Sequence, residues 1–345
     1  MQKTSITAPS GTAVIVGRWQ LFHKGHETLL NAALATAEQV IVVIGSSFRS
    51  RDVRNPFTAE ERQAMIQAVL PKSVLPRVKF LPVRDYFDDV RWNAAVLEGV
   101  ERLAPGHGAV TLVGFKKDHT SYYLDHFPSW ASKSVEQEFD IDATALRNVF
   151  FEGVDPDARL AVLRPHVNAQ VLAYLQAWAR LPVYQQRVAE HLAVAQYRKK
   201  WTADAYLTAD AVVVANGHVL LVRRGGEVGY GQWALPGGFV NKNERFYAAA
   251  VRELFEETGV KTLDTTLHQA LKADQVFDHP LRSARGRIIT HAFYFDLGPI
   301  PLPEVQGADD AMEAKWVALA DLPQLEDQLF EDHAAILDRF VGVYH

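Results

Sequence analysis

The sequence predicts an α/β doubly wound parallel-sheet domain followed by an α+β domain. Three observations predict this. The first half alternates short, β-branched apolar runs with amphipathic stretches, as expected for strands buried on both faces and separated by helices. From about Asp157 to Trp201 no strand candidate occurs; the pattern is helical and ends in the basic run Arg198, Lys199, Lys200. Beyond it two strand patterns meet at Asn216-Gly217, a hairpin signal, and the rhythm changes to strand, loop, helix and strands. A chain of 345 residues makes two domains the natural expectation. The expected boundaries are a disordered N-terminus over 1–11, a first domain over 12–185, a helical linker over 186–203 and a second domain over 204–345.

In the first domain the strands are TAVIVG from Thr12, QVIVVIG from Gln39, RVKFLPV from Arg77 and AVTLVGF from Ala109, with helices near 26–37, 58–69 and 89–103. A sheet of this kind takes its ligands at the carboxyl ends of its strands. In the second domain AYLTADAVVVA and HVLLVRR form the hairpin, an acidic helix follows the Pro236-Gly237-Gly238 turn, and a last helix lies near 328–340.

Composition excludes several classes. Apolar residues at 48% and charged residues at 22% are ordinary for a globular protein. A net charge of −5 argues against a general nucleic-acid binder but leaves room for local basic pockets that hold phosphate. The chain has no cysteine, which rules out disulfides, thiolate chemistry and Cys-based zinc sites. The first residues, MQKTSITAPSGT, lack an apolar signal core, and no run approaches the roughly 18 apolar residues of a membrane helix. A cytoplasmic enzyme with no membrane or nucleic-acid partner is expected. Its oligomeric state stays open, a homo-oligomer included.

The sharpest signal lies in the second half, where Gly238 is followed by Glu244 and then by Arg252-Glu253-Leu254-Phe255-Glu256-Glu257-Thr258-Gly259-Val260. Glu253, Glu256 and Glu257 are three and four positions apart and share one helix face. Such carboxylates repel one another unless a cation neutralises them, and oxygen-only ligands suit Mg²⁺ or Mn²⁺. Arg252 can pair with a carboxylate and hold it in place; Gly259 can close the helix. Over these 23 residues the stretch matches every fixed position of the Nudix box, G-x5-E-x7-R-E-U-x-E-E-x-G-U, where U is apolar. The second half therefore resembles the Nudix hydrolases. The resemblance implies metal-dependent hydrolysis of a nucleoside diphosphate linked to another moiety. It carries metal ligation to Glu253, Glu256 and Glu257, and structural support to Gly238, Glu244 and Arg252. Glu257 is also the candidate catalytic residue, although the general base stays open between this helix and a later loop. Arg282, Arg285 and Arg287, around a proline turn, suit a bidentate phosphate clamp or a solvated loop. Similar segments occur in ADP-ribose-directed Nudix proteins, which points to ADP-ribose as the substrate.

In the first half, the strand TAVIV runs into Gly17-Arg18-Trp19-Gln20-Leu21-Phe22-His23-Lys24-Gly25-His26 and then a helix. A glycine turn leading from a parallel strand into a helix N-terminus is a ready anion site. His23 and His26 can donate to phosphate oxygens, with Gly25 allowing close approach, and no residue here is a nucleophile. The chemistry implied is positioning and charge stabilisation of a phosphoryl-type transition state. The stretch resembles the H-x-G-H motif of the Rossmann-like nucleotidyltransferases, and the wider run is similar to the G-R-F-Q-P-F-H-x-G-H of archaeal-type nicotinamide mononucleotide (NMN) adenylyltransferases. Trp19 and Leu21 depart from that pattern. Asn55-Pro56-Phe57-Thr58 with Glu61-Arg62 resembles the family's N-P-F-T-x-x-E-R segment, and 85–92 resembles the stretch whose tryptophan stacks on nicotinamide, here Trp92, unless Trp92 is a core side chain. Ile141 to Arg147 aligns with I-S-x-T-x-x-R, the second phosphate motif, with Asp142 in place of serine.

The resemblance implies NAD⁺ synthesis from NMN and ATP. His23, His26 and Arg147 would be catalytic. Gly17, Arg18, Trp19, Gln20, Asn55, Trp92 and Thr144 would bind substrate, and Gly114 and Lys116 (or Lys117) would lie on the adenosine side. The domain order is similar to that of bifunctional NMN adenylyltransferase/Nudix hydrolases, with NMN, ATP, NAD⁺ and ADP-ribose as small-molecule partners. The rival reading is an adenylyltransferase for another phosphate acceptor whose Nudix domain only senses ADP-ribose.

Overall fold

The computed structural model describes residues 11–106, 108–115, 126–136, 142–153, 155–261 and 264–344. Nearly all of the segment expected to be disordered, together with Lys116, Lys117 and Ile141, lies outside the described residues. The chain divides into two units, Met1–Phe48 with Arg54–Val188, and Arg49–Val53 with Ala189–His345.

The first unit is built on five parallel strands, β1 (Thr12–Gly17), β2 (Gln39–Ser47), β3 (Val78–Arg84), β4 (Val110–Phe115) and β5 (Ala131–Val135), in the order β3-β2-β1-β4-β5. Alternate residues feed two cores. Ala13, Ile15, Val40 and Val42 pack with Leu29, Leu30 and Ala33 of α1 (Lys24–Thr36) and with Met65 and Ile66 of α2 (Ala59–Ala68). Val14, Ile41 and Val43 pack with Val96 and Val100 of α3 (Asp89–Leu103) on the other face. Burial on both faces explains why these strands read as continuous apolar runs. β5 escaped the sequence reading because ASKSV is mostly exposed and has no apolar period; backbone pairing to β4 alone makes it a strand. Three helices follow, α4 (Ala143–Phe151), α5 (Pro156–Leu163) and α6 (Ala169–Trp178), and α7 (Pro182–Lys200) begins in this unit and ends in the second.

The second unit has β6 (Tyr206–Ala215), β7 (His218–Arg224), β8 (Trp233–Ala234), β9 (Gly237–Phe239), β10 (Leu271–Phe277), β11 (Ile288–Asp296) and β12 (Ala311–Ala318). Its sheet is mixed, ordered β10-β11-β6-β7-β12, with β11 and β6 parallel, β8 on β7 and β9 on β6. Asn216 and Gly217 take φ of 45° and 71°, the left-handed pair that a two-residue hairpin needs. Ala249, Ala250 and Leu254 of α8 (Phe246–Thr258) pack on Ala211 and Val213, and α9 (Asp264–Ala270) adds Leu267 on that side. Ile336 and Leu337 of the C-terminal helix α11 (His333–Val341), which follows the short α10 (Leu322–Leu325), pack on Val212 and Val214 across the sheet. Gly259, at φ 58°, ends α8 as a left-handed cap. Among the described residues no helix is long and apolar enough to cross a membrane.

Candidate active sites

In the first unit β1 ends at Gly17 and α1 begins at Lys24, so the histidine loop turns at the carboxyl edge of the sheet. There β1 has β2 on one side and β4 on the other, the switch point at which doubly wound sheets bind ligands. Gly114, near the end of β4, lies across that crevice and pairs with Ser134 of β5.

His23 caps α1. The His26 amide donates to His23 Nδ1 and the His23 amide to His26 Nδ1, both at 3.4 Å, and the rings stack with centroids 3.7 Å apart. With Nδ1 accepting, each neutral ring carries its proton on Nε2, the atom from which it can donate. A Cβ on Gly25 would sit 3.1 Å from His23 Cε1, so this glycine makes room for the imidazole itself.

Two residues expected to contact substrate turn out to be structural in their side chains. Trp19 is 1% exposed, and its indole donates to Val43 O at 2.8 Å beneath the sheet edge. Its bulk and single donor are both satisfied inside the core, leaving only its backbone near the crevice. Gln20 is equally buried; its carboxamide donates to Phe57 O (2.8 Å) and accepts from Phe57 N (3.1 Å), fastening the Asn55–Phe57 segment to the histidine loop. Asn55 is buried beside it and Arg18 is exposed.

Arg147 is 3% exposed and donates from Nη1 to Gln20 O and from Nη2 to Thr144 Oγ1 (3.0 Å), so the two motifs are joined through one guanidinium. Asp142 is the N-cap of α4, accepting from Thr144 N at 2.8 Å; an acid in place of serine thus has a local role. Trp92, on the first turn of α3, is half-buried, its ring 6.3 Å from Phe127.

Arg62 was overlooked as a site residue. It is 1% exposed and donates to the carbonyls of Arg18 (2.7 Å), Gly45 (2.6 Å), Ser46 (3.1 Å) and Thr58 (3.1 Å). One buried cation thereby ties the ends of β1 and β2 to the start of α2. The signal was an arginine on an otherwise apolar helix face, which sequence spacing alone cannot assign.

In the second unit Arg252 organises the acidic helix. It meets Glu244 at 2.8 and 2.9 Å, Glu253 at 2.7 Å, Glu256 at 2.9 Å and Phe239 O at 3.0 Å. These bonds hold the Glu244 carboxyl down at about 2. A Cβ on Gly238 would come within 2.5 Å of Glu253 Oε1, which explains the glycine. Glu257 is 4% exposed and accepts from Gly237 N at 2.9 Å. Burial, then a hydrogen bond shared with Asp310, pushes its carboxyl up to about 9. Asp310 was not foreseen, because it comes from the loop before β12. That loop is fastened to the end of α8 by Gln306 N to Thr258 O (2.9 Å) and Ala308 N to Glu257 O (3.1 Å).

Among the described residues no three His, Asp or Glu side chains are gathered into a ready metal site, since Arg252 draws Glu253 and Glu256 onto itself. The donors nonetheless fit a hard divalent cation. They are oxygen-only, and the buried Glu257 carboxyl faces that of the exposed Asp310, where a cation would stabilise both as carboxylates.

Glu253, Glu257, Asp309 and Asp310 line a cavity of about 320 Å³ together with Arg224, Arg252, Arg282, Arg285, Phe330, Glu331 and His333. The expected three-arginine clamp is not assembled. Arg282 is 3% exposed and bound bidentately by Asp332 at 2.8 Å, and Arg285 is paired to Glu331 at 3.0 Å. Arg287 donates to Asp278 O and is not among the residues lining the cavity. Burial of Arg282 and Arg285 requires internal carboxylate partners, which the sequence separates by about fifty residues.

A model of the cytidylyltransferase-like family matches residues 14–103, and one of the NUDIX domain matches residues 205–340. Over 96% of its length the chain is similar to a bifunctional NMN adenylyltransferase/ADP-ribose pyrophosphatase from Francisella tularensis, crystallised with AMP and manganese; identity is 32%, coverage of that chain 99% and TM-score 0.87. The chain belongs to this bifunctional family. A nicotinamide/nicotinic acid mononucleotide adenylyltransferase of Acinetobacter baylyi is 32% identical over 169 residues, which are 47% of this chain and 90% of that protein. The nicotinamide-nucleotide adenylyltransferase of Methanococcus aeolicus is 38% identical over 93 residues, 27% of this chain and 51% of that protein. Both units are thus of enzyme families, a nucleotidyltransferase that uses ATP and a Nudix hydrolase, and both families use divalent metals.

Proposed function

We propose that the first unit makes NAD⁺ from NMN and ATP and that the second hydrolyses ADP-ribose to AMP and ribose 5-phosphate. The observation that carries this reading is similarity to a bifunctional relative across nearly the whole of both chains. We assign the transferase to 12–185, the linker to 186–203 and the hydrolase to 204–345.

In the transferase an NMN phosphate oxygen attacks the α-phosphorus of ATP, the bond to the β-phosphate oxygen breaks, and pyrophosphate leaves. No side chain becomes covalently attached. His23 and His26 donate from Nε2, and Arg18, Thr144 and Arg147 share the charge on the triphosphate. Asn55, Gly17 and the Gln20 backbone shape the crevice, Gly114 lies toward adenosine, and Trp92 stacks on nicotinamide. In the hydrolase, water attacks one phosphorus of the diphosphate and AMP departs. Glu253, Glu256 and Glu257, joined by Asp310, would hold Mg²⁺, with Mn²⁺ an alternative. When bound, the ion supplies polarisation of the diphosphate and a hydroxide from water. Arg252 and Gly237 N hold the carboxylates in place, and Asp310 joins the helix carboxylates as a candidate general base. A hydrolase that cut NAD⁺ would undo its neighbour's work, so NAD⁺ is expected to be a poor substrate.

The test is a product assay: NMN with ATP must yield NAD⁺ and pyrophosphate, and ADP-ribose alone must yield AMP and ribose 5-phosphate. If neither pair appears, the reading fails. Within it, Trp92→Ala is expected to raise KM for NMN about tenfold with KM for ATP nearly unchanged, since base stacking is worth roughly 1–3 kcal/mol. A shift in the ATP constant alone would return Trp92 to the core.

A further inference from the structure

The run Phe330-Glu331-Asp332-His333 lies outside the glutamate motif, yet each of its side chains is held by the arginines or the turn at the hydrolase cavity. The Phe330 ring lies under Arg224 (4.1 Å) and Arg285 (5.1 Å), Glu331 pairs with Arg285 and Asp332 with Arg282. His333 accepts from Leu235 N at Nδ1 (2.8 Å), directly before the Pro236-Gly237-Gly238 turn.

His333 is 6% exposed and lines the cavity. Because Nδ1 is an acceptor, the neutral ring holds its proton on Nε2. Among the described residues no protein group pairs with that Nε2. Buried N–H groups almost always have an acceptor, so a donor lining a cavity marks where a ligand oxygen belongs. The ring donates without carrying charge. Burial, with Arg282, Arg224 and Arg285 around it, holds its pKa well below that of an ordinary histidine.

We infer that His333 is a substrate-binding residue of the hydrolase site, donating from Nε2 to a phosphate oxygen of the bound nucleoside diphosphate; this rests on the hydrolase reading above. The anionic acceptor follows from its neighbours. Arg282 and Arg285 are each matched by a carboxylate, whereas Arg224 contacts the Val228 carbonyl (3.3 Å) and the Phe330 ring and has no carboxylate at ion-pair distance among the described residues. Arg224 is therefore an arginine of this cavity with no carboxylate at ion-pair distance, and a phosphate oxygen can supply a charged partner that a sugar hydroxyl cannot.

Two substitutions separate this role from simple support of the Leu235 amide. Asparagine can keep an acceptor near Nδ1 but has no donor at Nε2; glutamine can reach the Nε2 position but abandons Leu235. ADP-ribose binding to the full chain would be measured by calorimetry with divalent metal chelated, beside hydrolysis with metal present. Expected is a loss of affinity of roughly tenfold or more for His333→Asn, the scale of one hydrogen bond to a charged acceptor. His333→Gln should bind more tightly than His333→Asn yet melt at a lower temperature. Wild-type affinity in His333→Asn, a greater loss in His333→Gln, or no ADP-ribose binding by the wild type would each overturn the inference. Binding by the wild type with no hydrolysis would instead sink the assigned reaction and leave His333 to be judged on affinity.

Discussion

Glu257→Gln is expected to lower ADP-ribose hydrolysis by orders of magnitude while adenylyl transfer in the same chain barely changes. Glutamine matches glutamate in size, and its carboxamide oxygen can still accept from Gly237 N, the contact that seats Glu257 at the start of the turn. What disappears is the capacity to ionise: a divalent cation opposite Asp310 would draw the buried Glu257 carboxyl into its charged form, which a carboxamide cannot take. The measurement is kcat for AMP release beside kcat for NAD⁺ formation on one preparation, with the melting temperature as the check on folding. Full hydrolysis in the variant would remove Glu257 from the metal set. Loss of NAD⁺ synthesis in a folded variant would instead mean that the two sites are coupled, and would favour a sensor role for the second unit.

His26→Ala is expected to reduce kcat for NAD⁺ formation by about 10²-fold or more, the scale of losing one preorganised donor to a developing charge. Hydrolysis of ADP-ribose should be retained. The alanine variant also loses half of the reciprocal cap on α1, since the His23 amide donates to His26 Nδ1. A cap of this kind is worth about 1 kcal/mol of stability, so activity should be read only below the melting transition. His26→Asn separates the two effects: its side-chain oxygen can replace Nδ1 as acceptor, while the Nε2 donor is gone. Equal loss in both variants assigns the effect to the donor. Recovery in the asparagine variant would reduce His26 to a capping residue.

Much of each site was legible because the determinants are local. The strand–loop–helix placement of His23 and His26 follows from apolar periodicity and one glycine turn, and the shared face of Glu253, Glu256 and Glu257 follows from helical spacing. Even the glycines had local reasons, although the contacts behind them were hidden: Gly25 clears the His23 ring and Gly238 clears the Glu253 carboxylate. For Trp19 and Gln20 the sequence offers no sign of burial, because a loop residue beside a phosphate motif has the same local pattern whether it faces a ligand or the core. Only the position of Val43 and Phe57 shows that both side chains are spent inside the fold.

By itself the sequence determined the two fold classes, the hairpin at Asn216-Gly217, the helix that carries the carboxylates and the loop that carries the histidines, since each depends on residues within a turn or two of one another. Tertiary structure alone decided which distant groups complete the sites. Arg62 gathers four carbonyls from three elements, Asp310 faces Glu257 from a loop beyond β11, and Asp332 and Glu331 neutralise Arg282 and Arg285. The reason is electrostatic: a buried charge must find a partner wherever the chain brings one within about 3 Å, and no local periodicity encodes that meeting.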